Sequence, residues 1–306
     1  AAPDTKSRVV TVNGGYIKGG ANYRANDNSN FFFNVGQIMR PPSFDGVFPN
    51  ADYDFEEADE ILNESFTSFE LGYGFRASNF KATINAYHTV WGDRTLRRST
   101  SIDDQGVRII YSGVEQTHQG IEGEMTWYPS NRLRIKGMFS LGDWKYTKNF
   151  QGDAYFIDNN QPAGTTGTLY LDGVKIGDAA QTVLYLGFDY KLSSKLSVDL
   201  DMMSYDNLHG RFGPLDSEFN SDNNRGSIKL PSWGTADLGA TYSFNLLGYD
   251  ARARLNVNNL FDEEYLSQSQ TNFHNDGGRT WNGVNVENQV YFGKGTTWNL
   301  GLNINF

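Results

Sequence analysis

Residues 298–306 read WNLGLNINF and alternate strictly between apolar and polar side chains. Trp298, Leu300, Leu302 and Ile304 share one parity, while asparagine or glycine fills the other. Successive side chains of a β-strand point to opposite faces, so this segment predicts a strand with one apolar and one polar face. The same period of two recurs at 196–202 and 69–76. The sequence shows no convincing helical stripe and therefore predicts an all-β protein.

Eight further segments have strand character, which brings the expected total to about eleven antiparallel strands. These segments are 16–24, 31–39, 80–91, 121–128, 133–146, 181–191, 234–244 and 251–258. The connections alternate in length. Short turns are predicted at 25–30, 78–79, 129–131, 193–194 and 245–250, and long polar loops at 40–66, 92–119, 147–180, 207–233 and 259–297. The short turns should therefore lie at one end of the sheet and the long loops at the other.

The composition of the 306-residue chain excludes several classes of protein. No apolar run approaches the roughly 18 residues of a membrane helix, and residues 1–10 contain no apolar segment of the signal-peptide kind. The chain has no cysteine, which excludes disulfides and thiolate metal sites. Its net charge of −10 argues against nucleic acid as a partner. High aromatic content (14%) combined with a mean hydropathy of −0.54 suits strands that face two different solvents.

The polar parity of the strands carries charges at mid-strand positions, for example Glu70, Arg76 and Lys81. A soluble sandwich or barrel would leave these charges in bulk water around an ordinary core. Short turns opposite long loops, and aromatic residues at the short-turn end, are instead features of outer-membrane barrels. Those aromatic residues are Trp127, Tyr190, Phe244 and Phe306. We therefore predict a transmembrane antiparallel β-barrel with a lipid-facing apolar band, a polar lumen and periplasmic short turns.

The number of strands bears on whether the barrel is complete. Bacterial barrels have an even number of strands and both chain ends on the periplasmic side, so about eleven strands predict one part of a larger barrel. A separate strand at residues 9–12 (VVTV) would raise the count to about twelve and allow a small closed barrel.

The segment NVNNLFDEEYL at 256–266 resembles the penultimate strand and following loop of TonB-dependent outer-membrane receptors, which commonly carry an Asn-Leu-Phe-Asp-x-x-Tyr run there. Segments 19–44, 68–76 and 118–129 and the alternating chain end resemble the same family in its Bacteroidetes-type versions. The resemblance implies a plugged barrel of about 22 strands that imports scarce ligands with energy from TonB. Residues 1–306 are then expected to be the C-terminal half of its wall, without the plug and TonB box.

The resemblance also implies partners and a location. The expected location is the bacterial outer membrane. The expected partners are the rest of the receptor with its plug, TonB, outer-membrane lipid and lipopolysaccharide, the barrel-assembly machinery and a small ligand, with a siderophore-type iron chelate favoured. No cofactor is expected. The alternative is a small passive porin or structural barrel.

Cationic and aromatic residues near the external strand ends are the candidate ligand contacts, because arginine and aromatic rings suit anionic iron chelates. They are Trp91, Arg94, Arg97, Arg98, His209, Arg211, Phe212, Phe273, His274, Arg279 and Trp281. Alternatively, such residues belong to the interface girdle or bind lipopolysaccharide phosphates.

Lumen-facing charges are candidates for contacts across the wall and with a plug, or for a charged passive pathway. They are Glu122, Glu124, Arg132, Arg134, Asp199, Asp201, Arg252 and Arg254. We expect Glu122 and Glu124 to face Arg132, Arg134 and Lys136 on the next strand. The terminal Phe306 resembles the signal read by the assembly machinery.

The sequence favours neither an enzyme nor a metal site. His88 lies on the lipid-facing parity, and His118, His209 and His274 have no nucleophile motif beside them. Acidic residues cluster at 51–60 without EF-hand spacing, which favours a solvated loop over a Ca²⁺ site.

Overall fold

The computed structural model describes residues 9–48, 61–102, 104–159, 161–213 and 216–305. Eleven strands form one continuous antiparallel wall, with the order β1-β2-β3-β4-β5-β6-β9-β10-β11-β12-β17. The first six are β1 (Gly15–Arg24), β2 (Ser29–Arg40), β3 (Glu64–Arg76), β4 (Phe80–Ile102), β5 (Gln105–Ser130) and β6 (Leu133–Tyr146). The others are β9 (Thr182–Lys191), β10 (Leu196–Asp206), β11 (Trp233–Leu246), β12 (Tyr249–Asn258) and β17 (Thr297–Asn305).

The wall confirms the predicted strand number and up-and-down order. The end strands β1 and β17 do not pair with each other, so the sheet is a partial, unclosed barrel. Residues 9–12 are not a strand, which removes the basis for a twelve-stranded small barrel. The short turns are confirmed as well. In the β11–β12 turn, Leu247 (φ 54°) and Gly248 (φ 94°) both have positive φ, the geometry that suits a two-residue hairpin.

The two faces of the wall differ in polarity, as the alternation predicts. One face, which we call the outer face, exposes large apolar side chains; Leu71 is 61% exposed and Trp298 is 71% exposed. The opposite face, which we call the lumen face, carries the charged parity. Exposed leucine and tryptophan along whole strands would be unfavourable in water but are stable against hydrocarbon. The part of the chain that the structure describes contains no helix long and apolar enough to span a membrane.

The apolar band on the outer face ends at a polar row. In register across β4, β5 and β6, the row Ala86, Ile121 and Leu141 is followed by His88, Gln119 and Asp143. From Phe80 to His88 a strand rising about 3.4 Å per residue covers roughly 27 Å. This length agrees with an apolar band about 25 Å tall crossed by tilted strands. We take this row as the external limit of the membrane-spanning segments.

The predicted long loops at 92–119 and 147–180 are wrong in part, because both regions contain strands. The paired strands β4 and β5 continue past the polar row to Ile102 and Gln105, and β7 (Phe150–Phe156) and β8 (Pro162–Leu169) extend this hairpin into a sheet. Outside the membrane, one face of a strand can be exposed to water, so only the other face has to pack against apolar side chains. That neighbour comes from residues distant in sequence, such as Leu171 and Phe219, which are fully buried. Local periodicity could not reveal them.

The external segments together form a packed cap, which we define as 92–118, 147–181, 207–232 and 259–296. Its first core contains Val107, Ile109, Tyr111, Val114, Phe150, Ala154, Leu169, Leu171, Val174 and Phe219. Its second core contains Leu208, Ile228, Leu230, Leu266 and Val284. The buried apolar residues of the described chain belong mainly to these two cores, because the wall buries its side chains only weakly.

Short elements complete the cap. A single 3₁₀ turn (Ser217–Asn220) follows Asp216, whose carboxylate accepts a hydrogen bond from the backbone N–H of Glu218 at 3.0 Å. The other short elements of the cap are β13 (Leu266–Ser269), β14 (Thr280–Trp281), β15 (Val284–Asn285) and β16 (Val290–Phe292), whereas α1 (Phe44–Val47) lies outside the cap, between β2 and β3 in the sequence.

The motif NLFDEEY (259–265), which follows β12 directly and begins the last cap segment, has a structural role. Asn259 takes a positive φ of 48°, accepts a hydrogen bond from the N–H of Glu263 at 2.9 Å and donates to the carbonyl of Lys294 at 3.1 Å. Tyr265 then stacks on Trp233 with a ring-centroid distance of 3.8 Å. Its ring lies against Gly293, where a Cβ would come within 1.9 Å of it. The motif therefore ties the end of β12 to the segment that enters β17.

Candidate functional site

A cavity of about 400 Å³ lies between the top of the wall and the cap. This volume is within the range of small-ligand sites. We call this cavity the vestibule. Its main polar and aromatic lining residues are Trp91, Arg94, Arg97, Gln116, His118, Tyr146, Asp178, Arg211 and Phe212. The structure thus brings together Trp91, Arg94 and Arg97 from one predicted group and Arg211 and Phe212 from another.

The vestibule depends on an irregularity in β4. The β4–β5 register shifts on both sides of Arg94, and the preceding Asp93 has a positive φ of 56°. Ser65 holds this residue by donating a hydrogen bond to its carboxylate at 2.8 Å. Bulges of this kind re-aim side chains. Here the guanidinium of Arg94 lies over the ring of Trp91, 3.8 Å from its centroid.

A second layer, not identified from the sequence, supports Trp91 from below. Phe66 stacks on Trp91 with a centroid distance of 4.9 Å, and the guanidinium of Arg40 lies 5.4 Å from the Phe66 ring centroid. Glu64 accepts a hydrogen bond from the indole N–H of Trp91 at 3.1 Å and also pairs with Arg40. These positions fall in the predicted loop 40–66. Phe66 falls on the polar parity of Ser68 and Glu70, so alternation gave no signal that β3 starts earlier.

Two arginines of the vestibule, Arg94 and Arg211, receive little compensation from carboxylates of the described residues. Among the described residues, no carboxylate lies within ion-pairing distance of Arg94, and burial lowers the pKa of its guanidinium. Arg211 is 3.8 Å from the carboxylate of Asp178, a loose contact. Burial and the neighbouring Arg94 lower the pKa of His118, which favours the neutral ring at pH 7, and its buried Nε2 has no hydrogen-bond partner among the described residues. Burial also raises the pKa of Tyr146. The site can therefore attract an anion and still offer neutral polar groups and aromatic rings.

The other predicted ligand contacts do not line the vestibule. His209 faces the backbone carbonyl of Ser227 at 3.2 Å, and burial lowers its pKa. His274 contacts the carbonyl of Gly226 at 3.0 Å, and Trp281 packs on the second cap core. Phe273 and Arg279 are exposed on the cap. The side chain of Arg98 lies outside the described part of the structure, as do Phe306 and the acidic residues at 51–60.

The lumen face below the vestibule carries a network of ion pairs that we call the lumen ladder. Arg134 binds Asp189 at 2.8 Å, Lys136 binds Asp201 at 3.1 Å, and Arg254 binds Asp199 at 2.9 Å. The expected pairing of Glu122 and Glu124 with Arg132, Arg134 and Lys136 is wrong. The β5–β6 register places Thr126 opposite Lys136 and Ser140 opposite Glu122, and Ser140 donates to Glu122 at 3.1 Å. The aspartates of β9 and β10 neutralise the β6 cations instead.

Glycines make the lumen ladder possible. The Lys136–Asp201 pair joins β6 to β10 across β9, and the Arg254–Asp199 pair joins β12 to β10 across β11. Gly187 and Gly239 occupy the crossing points. A Cβ at Gly187 would lie 2.6 Å from Asp201 Oδ1, and one at Gly239 would lie 2.1 Å from Asp199 Oδ2. Two of the predicted lumen residues, Arg132 and Arg252, are exposed and form no ion pair with another described residue.

A family model described as TonB dependent receptor-like, beta-barrel matches residues 5–260. The chain belongs to this family. Proteins with the TonB-dependent receptor barrel are outer-membrane receptors and transporters, and the open wall described above is part of such a barrel. A search of curated proteins finds no match. Within the described residues, no three His, Asp or Glu side chains are grouped to hold a metal ion.

Solved TonB-dependent receptors share the fold. The siderophore receptor PiuA from Acinetobacter baumannii is 14% identical with a TM-score of 0.61, covering 93% of this chain and 35% of PiuA. BauA, the ferric preacinetobactin receptor from the same organism, is 17% identical with a TM-score of 0.59, covering 94% of this chain and 36% of BauA. The copper transporter OprC is 13% identical with a TM-score of 0.60, covering 94% of this chain and 39% of OprC. This chain therefore spans less than two fifths of their length.

Proposed function

We propose that this chain supplies the ligand-recognising wall and cap of an outer-membrane importer, and that its vestibule captures an anionic metal chelate of the siderophore type. The observation that carries the proposal is the guanidinium of Arg94, which is stacked on Trp91, partly buried and without an ion pair among the described residues. A partly buried cation without an ion pair is costly unless a ligand compensates its charge. An anionic ligand supplies that compensation on binding.

The chemistry of the lining narrows the ligand class. Arg94, Arg97 and Arg211 favour negative charge, while the rings of Trp91, Tyr146 and Phe212 favour a flat aromatic surface. Ferric catecholates combine both properties. PiuA is a siderophore receptor and BauA a ferric preacinetobactin receptor, which agrees with a siderophore-type iron chelate, whereas OprC is a copper transporter. Bare copper is less suited to a vestibule whose described residues group no metal ligands.

The remaining steps of import follow from the family. The lumen ladder is proposed to hold the inner surface of the wall rigid and to present charges to a plug supplied by the rest of the protein. Force from TonB through the periplasm would then open a path beside the ladder. In this scheme the vestibule determines ligand affinity, and the ladder determines whether the wall assembles.

The proposal is tested with the complete receptor in cells starved of iron. The probes are a ferric tris-catecholate, a neutral ferric trihydroxamate and a copper salt, each measured for binding and for TonB-dependent uptake. We expect the tris-catecholate to bind most tightly, and Arg94→Gln with Arg211→Gln to weaken it by about a hundredfold, since each charge-assisted hydrogen bond contributes roughly tenfold. The matched control is Arg24→Gln, an exposed arginine at a short turn. Equal binding of the neutral chelate, or preference for copper, would contradict the proposed ligand class.

A further inference from the structure

Two lysines lie directly opposite each other on the outer face, immediately above the apolar band. Lys145 and Lys175 are partners in an isolated antiparallel bridge. Both bind the same carboxylate: the ammonium of Lys145 is 3.3 Å from Asp143 Oδ2, and Lys175 donates to Asp143 Oδ1. Like charges directly opposite each other in a sheet are destabilising. A single carboxylate shared by two ammonium groups leaves one positive charge of this cluster uncompensated.

The neighbouring charged groups do not remove this excess. Lys229 pairs with Asp206 at 2.8 Å. His209 is the bridge partner of Lys229, and burial together with Lys175 and Lys229 lowers its pKa, which favours the neutral ring at pH 7. On the other side, Gln119 links His88 to Asp143 with contacts of 3.1 and 3.2 Å. The cluster therefore holds the three ammonium groups of Lys145, Lys175 and Lys229 against the two carboxylates of Asp143 and Asp206.

The position of the lysine cluster indicates which chemical group its excess positive charge contacts. Asp143 and Lys145 continue the outward parity of Leu141, so their side chains leave the wall on its apolar face. The side chains of Lys145 and Lys175 are 38% and 37% exposed, and that of Lys229 is 50% exposed. Lysines beside hydrocarbon at a membrane surface lie level with lipid headgroups, and phosphate is the anionic group that such headgroups present.

We propose that Lys145, Lys175 and Lys229 bind the phosphate of an outer-leaflet lipid whose acyl chains lie along the apolar band below. The inference rests on the outer-membrane position given under the proposed function, but it concerns the opposite face of the wall from the vestibule. Lipid binding in this place fixes the height of the cap above the membrane, because Lys175 joins cap segment 147–181 to β6 and Lys229 joins cap segment 207–232 to the end of β10.

The experiment uses the complete receptor, purified in detergent and freed of lipid. Binding is measured by native mass spectrometry with a diphosphorylated, acylated glucosamine lipid, with the same lipid after removal of its phosphates, and with inorganic phosphate. We expect the phosphorylated lipid to bind at least about tenfold more tightly than the dephosphorylated one, and inorganic phosphate not to displace it. Changing all three lysines to glutamine should weaken binding by at least about tenfold. Lys195→Gln, at an exposed short turn on the other side of the band, should have no effect.

A second variant keeps the inference testable if the triple variant folds poorly. Asp143→Asn removes the shared carboxylate, so it should tighten binding of the phosphorylated lipid severalfold. A merely structural role of the lysines would give no such gain. Unchanged binding in a folded triple variant, equal binding of the dephosphorylated lipid, or no gain in Asp143→Asn would each overturn the inference. Chelate binding should remain unchanged in every lysine variant, so failure of this site and failure of the proposed function are distinguishable.

Discussion

The vestibule and the lumen ladder both place arginine on the interior face of the wall, but they surround it differently. In the ladder, Arg134 and Arg254 meet aspartates at 2.8 and 2.9 Å, and glycine keeps the crossing points open. In the vestibule, Arg94 meets an indole face and no described carboxylate. Satisfied charge stabilises the protein alone, whereas unsatisfied charge awaits a ligand. The role of an arginine was therefore indicated less by its residue type than by whether a carboxylate lies beside it. That carboxylate depends on strand register.

The largest expected effect comes from removing the packing behind the vestibule. Phe219 is fully buried and contacts Phe212, a vestibule residue, with a centroid distance of 4.2 Å. Phe219→Ala should cost the cap about 3–5 kcal/mol of stability and reduce chelate affinity while the wall stays folded. Proteolysis of the cap measures its loss of stability. Heat-resistant migration of the barrel measures whether the wall stays folded. Phe261→Ala, at a residue that is 77% exposed, is the control. Loss of the barrel together with the cap would show that the two regions are not independent.

The next effect separates the ladder from the vestibule. Gly239→Val places a side chain where the Arg254–Asp199 pair crosses β11, so overpacking and displaced charges should cost about 3 kcal/mol and lower the yield of folded barrel. The control is Gly301→Val, because a Cβ at Gly301 meets nothing within 4 Å. Chelate affinity of the folded fraction should be unchanged. Equal yields of the two variants would argue against a structural role of the ladder.

A paired substitution tests the comparison directly. Arg94→Gln should weaken binding of a ferric tris-catecholate roughly tenfold and leave the folded yield unchanged, because the arginine has no described ion pair to lose. Arg134→Gln leaves Asp189 without its main partner, so it should lower folded yield and leave affinity unchanged. Binding titrations and folded yields are measured on both proteins. The reverse pattern would exchange the roles assigned to the two regions.

The smallest effect concerns the ties within the cap at acid pH. The hydrogen bond from Arg225 lowers the pKa of Glu218, and Arg225 also contacts Asp276 at 2.5 Å. A carboxylate with a depressed folded-state pKa contributes stability above its ordinary pKa of about 4.3, and this contribution is lost as the pH falls through the folded value. Pepsin cleavage of the cap should therefore become modestly faster as the pH falls below about 4.5. Glu218→Gln should flatten this dependence, and an unchanged profile would exclude the pair as its cause.

Much of the wall could be predicted because its two faces meet different solvents. The alternation in 298–306 and 69–76 is encoded within each strand, and it requires no distant partner. The candidate site was only partly predictable. Trp91, Arg94 and Arg211 were identified by residue type, but Arg40, Glu64 and Phe66 were missed because β2 and β3 extend into a predicted loop. His118 was noted only as a histidine near a loop.

The sequence by itself determined the strand number, the placement of the short turns and the two-sided character of the wall, because a period of two encodes faces locally. The tertiary structure alone decided the cap, the vestibule and the ladder. The cap needs Phe219 to reach Val107 across more than a hundred residues, the vestibule needs a bulge beside Arg94, and the ladder needs a register that brings Lys136 to Asp201. Each of these features depends on which strands are neighbours and on the register between them. Side-chain alternation within one strand gives no information about either.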